Sequence, residues 1–431
     1  MSRLAIIGAG WAGMAAAVTA TAAGHQVVLF EATHALGGRA RSVAGQLLDG
    51  TPVTLDTGQH SLIGAYSETL RLLLQVGVDP KTALLRLPLT LRFPDGAGLQ
   101  FPNWPAPFDA FGAIVGARGW RVADKWSLLC LAGRWQRQGF ACDANASVTQ
   151  LCQGLSTRVL AELIEPLCVS ALNTPAHEAS AQVFLRVMQD ALFGAAGASY
   201  LLLPRRDLSA LFPAAGARHL LEHGAQLRLA ARVGALVAHG SGWQVDGESF
   251  DAVIVATGAS AAARLLTSSA ASVDAATAQA MQRWCALAKA LRFEAIATVY
   301  AWCPGARLST PMLALRPDAT APAQFVFDRG QLGGSQGLLA FVVSASRADR
   351  ATLQAQVLRQ ASAQLGLALQ PVQTIVEKQA TFACTPGLQR PALQIAPALL
   401  ACGDYVAGPY PATLEGAVRS GLAAVAALQT S

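Results

Sequence analysis

Six residues near the N-terminus, Gly8-Ala9-Gly10-Trp11-Ala12-Gly13, repeat glycine at the spacing G-x-G-x-x-G. In that pattern the first glycine permits a tight turn, the second lets backbone approach a pyrophosphate, and the third lets a helix pack closely on a strand. Glu31 follows 23 residues after Gly8, where a carboxylate at a strand end can accept hydrogen bonds from ribose hydroxyls. A glycine pair, Gly37-Gly38, precedes Arg39, whose planar fork matches a phosphate better than an ammonium would. Farther on, "LDTGQHSLIGAY" sets Asp56, Thr57, Gly58, Gln59 and His60 side by side. Histidine ordinarily titrates near neutral pH, so His60 has the chemistry of a proton donor, with closure of a turn as the plain alternative. Together these residues point to a bound dinucleotide beside a polar, proton-bearing loop.

Elements that would position them are legible around the glycines. Leu4–Ile7 reads as a buried strand, Trp11–Ala23 as a helix and Gln26–Phe30 as a second buried strand ending at Glu31. The basic start and apolar, Ala-rich run also resemble a secretory leader, but a strand entering spaced glycines and a helix describes them better. From about Glu68 the pattern turns helical, with helices expected over Lys125–Gln138, Thr157–Cys168 and Ser180–Phe193. Strand character returns near Gly224 and closes on a buried strand, Ala252–Ala256. "LRFEAIATVYAWC", "AQFVFDRG" and "GLLAFVVSAS" read as antiparallel strands ahead of a helix across Ala348–Leu365, and the last segment as a strand, a loop and a helix. The expected fold is α/β. A Rossmann-like dinucleotide domain is assembled from residues 1–67, 215–285 and 375–431, and 68–214 with 286–374 form an α+β domain with an antiparallel sheet and helices. A length of 431 residues suits two domains.

Composition narrows the function. Hydrophobic residues are 53% and charged residues 13%, which excludes a disordered chain. The net charge of +6 is scattered and mostly arginine, with no dense basic run of the kind that binds nucleic acid. Eight cysteines never fall in a C-x-x-C pair, so no metal site is expected and a reduced cytoplasmic setting fits. No unbroken apolar run reaches transmembrane length, so membrane contact would be peripheral.

The Gly-Gly-Arg element placed just after Glu31 resembles that of flavoproteins of the amine oxidase and carotenoid desaturase type, where it accompanies FAD. "ACGDY" and "PATLEGAV" resemble their late Gly-Asp element and final helix. The resemblance implies FAD contacts from Gly8, Ala9, Gly10, Trp11, Ala12, Gly13, Glu31, Ala32, Gly38 and Arg39. It implies further contacts from Asp56, Thr57, Gly58 and Gln59 beside the flavin ring and from Val233 and Thr257 at the adenosine half. Gly403, Asp404, Thr413 and Leu414 would serve the ribityl and pyrimidine side. One complete glycine fingerprint argues against a second nicotinamide-binding domain.

Two narrower stretches, "ALNTPAHEASAQVFLRVMQDALF" and "LLLPRRDLSALFP", look like the hydroxysqualene dehydroxylases of bacterial hopanoid biosynthesis. That resemblance runs from Ile7 to Gly421, although an acidic residue often follows Ser199 in the pattern and this chain has Tyr200. It implies hydride transfer from reduced flavin to the allylic carbon of hydroxysqualene with loss of the hydroxyl, giving squalene. A long dry channel must exclude water that would otherwise capture an allylic cation. His60 is a candidate for protonating the leaving group, against a structural or flavin-bonding role, and Tyr410 and Glu415 are weaker candidates. Arg205, Arg206 and Asp207 are expected to form a structural turn and salt-bridge cluster. The implied partners are the isoprenoid substrate, an unidentified electron donor, and either a membrane surface on the inner face of the cytoplasmic membrane or the upstream synthases. The alternatives are a carotenoid desaturase-like or amine oxidase-like oxidoreductase, and a non-redox prenyl-chain carrier on the same fold.

Overall fold

The structure, a computed structural model, describes residues 1–105, 108–192, 194 and 197–429. Leu4–Ile7 is an unbroken apolar run, as a strand covered on both faces requires, and lies within the strand Arg3–Ile7. It pairs in parallel with Gln26–Phe30 on one side and with Ala252–Val255 on the other. The whole sheet runs Gln226–Arg228, Gln26–Phe30, Arg3–Ile7, Ala252–Val255, Leu399–Ala401, Gln394–Ala396, with only the last pair antiparallel. Its central strands come from three separated parts of the chain. Helix Trp11–Ala22 covers one face and the C-terminal helix Leu414–Gln429 lies against it. A Cβ on Gly421 would sit 2.4 Å from the Ala12 carbonyl oxygen, so these two helices approach as closely as they do only because glycine stands there.

A second sheet is antiparallel, in the order Met312–Ala314, Phe325–Asp328, Leu338–Ser344, Phe293–Trp302, Gln370–Phe382. Period-2 alternation divides its residues between two apolar layers. Val299, Phe341 and Val343 face the helix Arg350–Leu365 through Leu353, Val357 and Ala361. Ile296, Phe325, Phe327 and Val342 face the other way, into a cavity. The fifth strand was not expected, because "QPVQTIVEKQATF" carries polar residues on much of its length; it runs unbroken through residue 375.

Helices Val122–Arg137 and Ala181–Leu192 match expectation within a few residues, and Phe193 lies outside the described residues. The helix expected over Thr157–Cys168 is interrupted: Leu160–Ile164 forms a π turn before Glu165–Leu172 continues to Asn173, whose φ of 45° ends it. Such a bulge re-aims side chains, and Leu163 and Ile164 both reach the cavity wall.

Glu415 is fully buried, and its carboxylate accepts from the backbone N–H groups of Glu68 and Thr69 at 3.1 and 2.9 Å and from the Thr69 hydroxyl at 2.6 Å. Arg419 balances its charge at 2.7 Å. The residue thus caps the helix Ser67–Gln75 from the C-terminal helix, a structural task in place of the chemical one considered for it. Glu415→Ala leaves these donors and Arg419 unmatched, and denaturant titration is expected to show a loss of about 3–5 kcal/mol.

Candidate active site

The carboxyl ends of the parallel strands open onto a cavity of about 980 Å³. Gly8, with φ of +111°, makes the turn out of the first strand, and a Cβ on Gly13 would lie 1.9 Å from the Gly8 carbonyl oxygen. Neither Gly13 nor Ala9 lines the cavity: Gly13 packs helix on turn, and the Ala9 N–H donates to Glu31 Oε2 at 3.0 Å. Gly10 is different. A Cβ there would meet no protein atom nearer than Gly38 Cα at 3.9 Å, so the space it would enter belongs to the cavity. Gly10 also begins helix Trp11–Ala22 without a side-chain cap, which leaves the first-turn N–H groups of the helix pointing at that space.

Glu31, Ala32 and Val233 line one lobe, and the other Glu31 oxygen accepts from the Thr33 N–H at 2.9 Å. Thr257 also lines the cavity, and its buried hydroxyl has no hydrogen-bond partner among the described residues. Gly38 and Arg39 follow. The Arg39 fork is held by an ion pair to Asp404 and by the carbonyl oxygens of Gln379 and Ala380 at 3.1 and 2.6 Å. Residues 365 apart in sequence, Arg39 and Asp404, therefore act as one unit in the wall, next to Gly403.

Thr57, Gly58, Gln59 and His60 line the middle of the cavity. Asp56 does not, which corrects its expected contact. Its carboxylate turns inward, accepts from the Leu208 N–H at 2.8 Å and faces Arg329 at 3.5 Å. Burial pushes it up to about 6 although Arg329 pulls the other way. Arg329 also donates to the Gln59 side-chain oxygen at 3.1 Å, and Gln59 donates to the Tyr300 hydroxyl at 2.7 Å, so this network supports the loop from behind. The expectation that His60 titrates near neutrality is corrected too. Burial, with nearby Arg39, pulls it down to about 4, and the ring is neutral at pH 7.

At the far end Thr413 accepts from the Gly416 N–H at 2.9 Å and so caps the last helix, which starts at Leu414; both residues line the cavity. Tyr410, with φ of 56°, sits edge-on to Tyr66 at 6.1 Å and beneath the Arg419 guanidinium at 5.0 Å. Burial pushes its phenol up to about 12, which keeps the proton in place. Beyond this point the wall is apolar, built from Leu99, Phe101, Leu128, Trp135, Leu167 and Phe327 among others.

The sequence profile of the flavin containing amine oxidoreductases matches residues 11–429. The chain belongs to that family. It is similar to the hydroxysqualene dehydroxylase of Sinorhizobium fredii, 27% identical over 96% of this chain and 95% of that protein. The hydroxysqualene dehydroxylase of Zymomonas mobilis is 30% identical over 197 residues, 44% of each chain. Among solved structures, an oxidoreductase from Methanosarcina mazei superposes over the full length of both chains with a TM-score of 0.71 at 14% identity, a likeness of fold. This amine oxidoreductase family member is an FAD-dependent oxidoreductase, and its residues fit the cofactor: the open cradle at Gly10 and the bare helix N-terminus beside it face one cavity.

Several residues of the oxidoreductase's site carried no readable signal. Tyr300 lies within the strand Phe293–Trp302 and Arg329 opens the short turn Arg329–Leu332 after Phe325–Asp328, while the Tyr405 hydroxyl donates to the Thr257 carbonyl at 3.0 Å and joins two cofactor-side loops. Asn173 donates to the Thr381 hydroxyl at 2.9 Å and both line the cavity. Asp207 caps the helix Leu208–Leu211 as a turn residue, but Arg205 and Arg206 are exposed and make no ion pair with it, so the expected salt-bridge cluster does not form among the described residues.

Proposed function

We propose that the protein reductively removes the hydroxyl of hydroxysqualene to give squalene. The observation that carries this reading is the continuity of one cavity from the cofactor-side loops into a long apolar wall, in a chain similar end to end to a hydroxysqualene dehydroxylase. Residues 1–67, 215–285 and 375–431 would hold FAD, and 68–214 with 286–374 would hold the isoprenoid chain. Reduced FAD supplies the hydride; the protein supplies position, dryness and a proton for the departing oxygen. Glu31 would accept from the ribose, the helix starting at Trp11 would face the pyrophosphate, and the helix starting at Leu414 would face the pyrimidine end. Leu, Phe and Trp side chains keep water from an electron-poor allylic carbon. The C–O bond breaks, and the oxygen leaves as water once a proton reaches it. Neutral His60 and the Tyr410 phenol are the hydrogen-bond donors for that oxygen.

Anaerobic incubation of chemically reduced enzyme with hydroxysqualene is expected to yield squalene. Turnover of a polyene or an amine instead would move the protein to another branch of the family, and failure to take up FAD at all would favour a prenyl carrier. The pH dependence of kcat/KM is expected to be flat from about 6 to 8, because His60 and Tyr410 titrate well outside that range. A limb near 6.5 that disappears in His60→Gln would restore the imidazolium as the acid. Tyr410→Phe should slow turnover about 100-fold with flavin absorbance unchanged, if the phenol delivers the proton.

A further inference from the structure

Of the eleven large apolar side chains exposed among the described residues, six fall between positions 104 and 126: Trp104, Phe108, Phe111, Val115, Val122 and Trp126. They make one surface. Phe108, Phe111 and Val115 lie at helical spacing on the outside of Phe108–Val115, and the Trp104 ring covers that helix at Gly112. Val122 and Trp126 sit one turn apart at the start of Val122–Arg137, joined to the first helix by Lys125, which donates to the Val115 carbonyl at 2.6 Å. The inner faces of the same helices carry Ala113, Ile114, Leu128 and Trp135, which line the cavity. A helix standing between core and water is apolar on one face only; these two are apolar on both. Exposed charge here has one sign. Asp109 and Asp124, the acidic residues of this segment, are buried, whereas Arg118 and Arg121 are exposed.

We propose that this surface docks on an anionic lipid bilayer and sets the apolar wall of the cavity against the membrane from which a long-chain substrate is drawn. Aromatic side chains settle at the headgroup boundary, and the arginines around them are drawn to acidic headgroups. Among the described residues no helix is long and apolar enough to cross a membrane, so the contact is with one leaflet. The inference rests on the isoprenoid reading for its purpose, but vesicle binding is measured without turnover, so either can fail alone.

The test uses the FAD-loaded full chain and co-sedimentation with vesicles of phosphatidylcholine alone or mixed with phosphatidylglycerol. Wild type is expected to sediment with the mixed vesicles and weakly with the neutral ones. Phe108→Ser with Trp126→Ser should lower the partition coefficient at least about tenfold. Arg118→Gln with Arg121→Gln should lower it about 20-fold on the mixed vesicles only. Both double variants should keep flavin absorbance and turnover of detergent-dispersed substrate. Should the aromatic double variant lose flavin, Val122→Ser, at a position 83% exposed, carries the same test. Wild type that ignores both vesicles overturns the proposal, as do variants that bind like wild type. So does a wild-type dimer that the aromatic substitutions split, since the surface then serves a second copy of the chain.

Discussion

Gly10→Val is expected to give a protein that folds with nearly wild-type thermal stability and stays colourless in FAD, while Gly13→Ala is expected to lose the fold around the cofactor altogether. Both glycines belong to one six-residue motif, yet the space around them differs. At Gly13 a single methyl would overlap the Gly8 carbonyl oxygen at 1.9 Å and crowd the Ala256 Cβ at 2.8 Å, both rigid parts of the central sheet and its turn. Relief requires the helix Trp11–Ala22 to move off the sheet, and overpacking of this kind costs about 3 kcal/mol or more. At Gly10 the nearest protein atom stands at 3.9 Å and the backbone, with φ of −72° and ψ of 179°, suits any residue. The protein therefore tolerates a branched side chain there and the cofactor does not. FAD affinity should fall at least about 100-fold, some 3 kcal/mol, because the pyrophosphate loses its close approach to backbone. Melting curves with and without FAD, read beside flavin absorbance, separate the two effects. A Gly10→Val protein that turns yellow would place the cofactor elsewhere in the cavity.

That contrast also shows what the sequence could reveal. Spacing and residue type disclose local demands, so the opening strand, glycine turn and helix were legible, and most of the residues expected at the cofactor line the cavity. The sequence hides the side on which a residue's neighbours arrive from distant parts of the chain. "DTGQH" reads as a row of equals, but Asp56 faces away because Leu208 and Arg329, from segments 152 and 273 residues later, claim its carboxylate, and Thr57 to His60 are left to the cavity. His60 looked like a neutral-pH donor because an isolated imidazole is one, and only packing puts it below that range. The strand Gln370–Phe382 escaped notice for a related reason: much of its length is only half-buried, so the alternation that marks a strand is diluted by polar residues.

Asp56 and His60 should also oppose each other in the pH dependence of stability, and single substitutions should expose it. Asp56 has its pKa raised in the folded state to about 6, against roughly 3.9 in an unfolded chain, so the folded protein binds its proton more tightly. Its contribution is complete below about pH 4 and is lost as pH rises through about 6. His60 has its pKa lowered to about 4, against roughly 6.5 unfolded, so its contribution is complete above about 6.5 and is lost as pH falls through about 4. Each shift is worth up to ~3 kcal/mol, and because the two windows overlap with opposite slopes, wild type should be nearly flat between about pH 4 and 6.5. Asp56→Asn removes the falling limb, so that variant should lose stability relative to wild type as pH is lowered from 7 to 4. His60→Gln removes the rising limb and should gain stability relative to wild type over the same interval. Urea denaturation of the three proteins at matched FAD concentration decides it. If Asp56→Asn instead gained relative stability on acidification, Arg329 at 3.5 Å would be holding Asp56 ionised, and the network beneath Gln59 would stay a buried ion pair below pH 6 rather than become a protonated carboxyl beside a cation. The distinction bears on the site, since Arg329 donates to Gln59 in the loop that carries His60: with Asp56 titrating at about 6 the pair is mostly ionised at pH 7 and takes up its proton on acidification, while burial and Arg39 keep the His60 ring neutral, so the proton for the departing oxygen comes from a neutral donor.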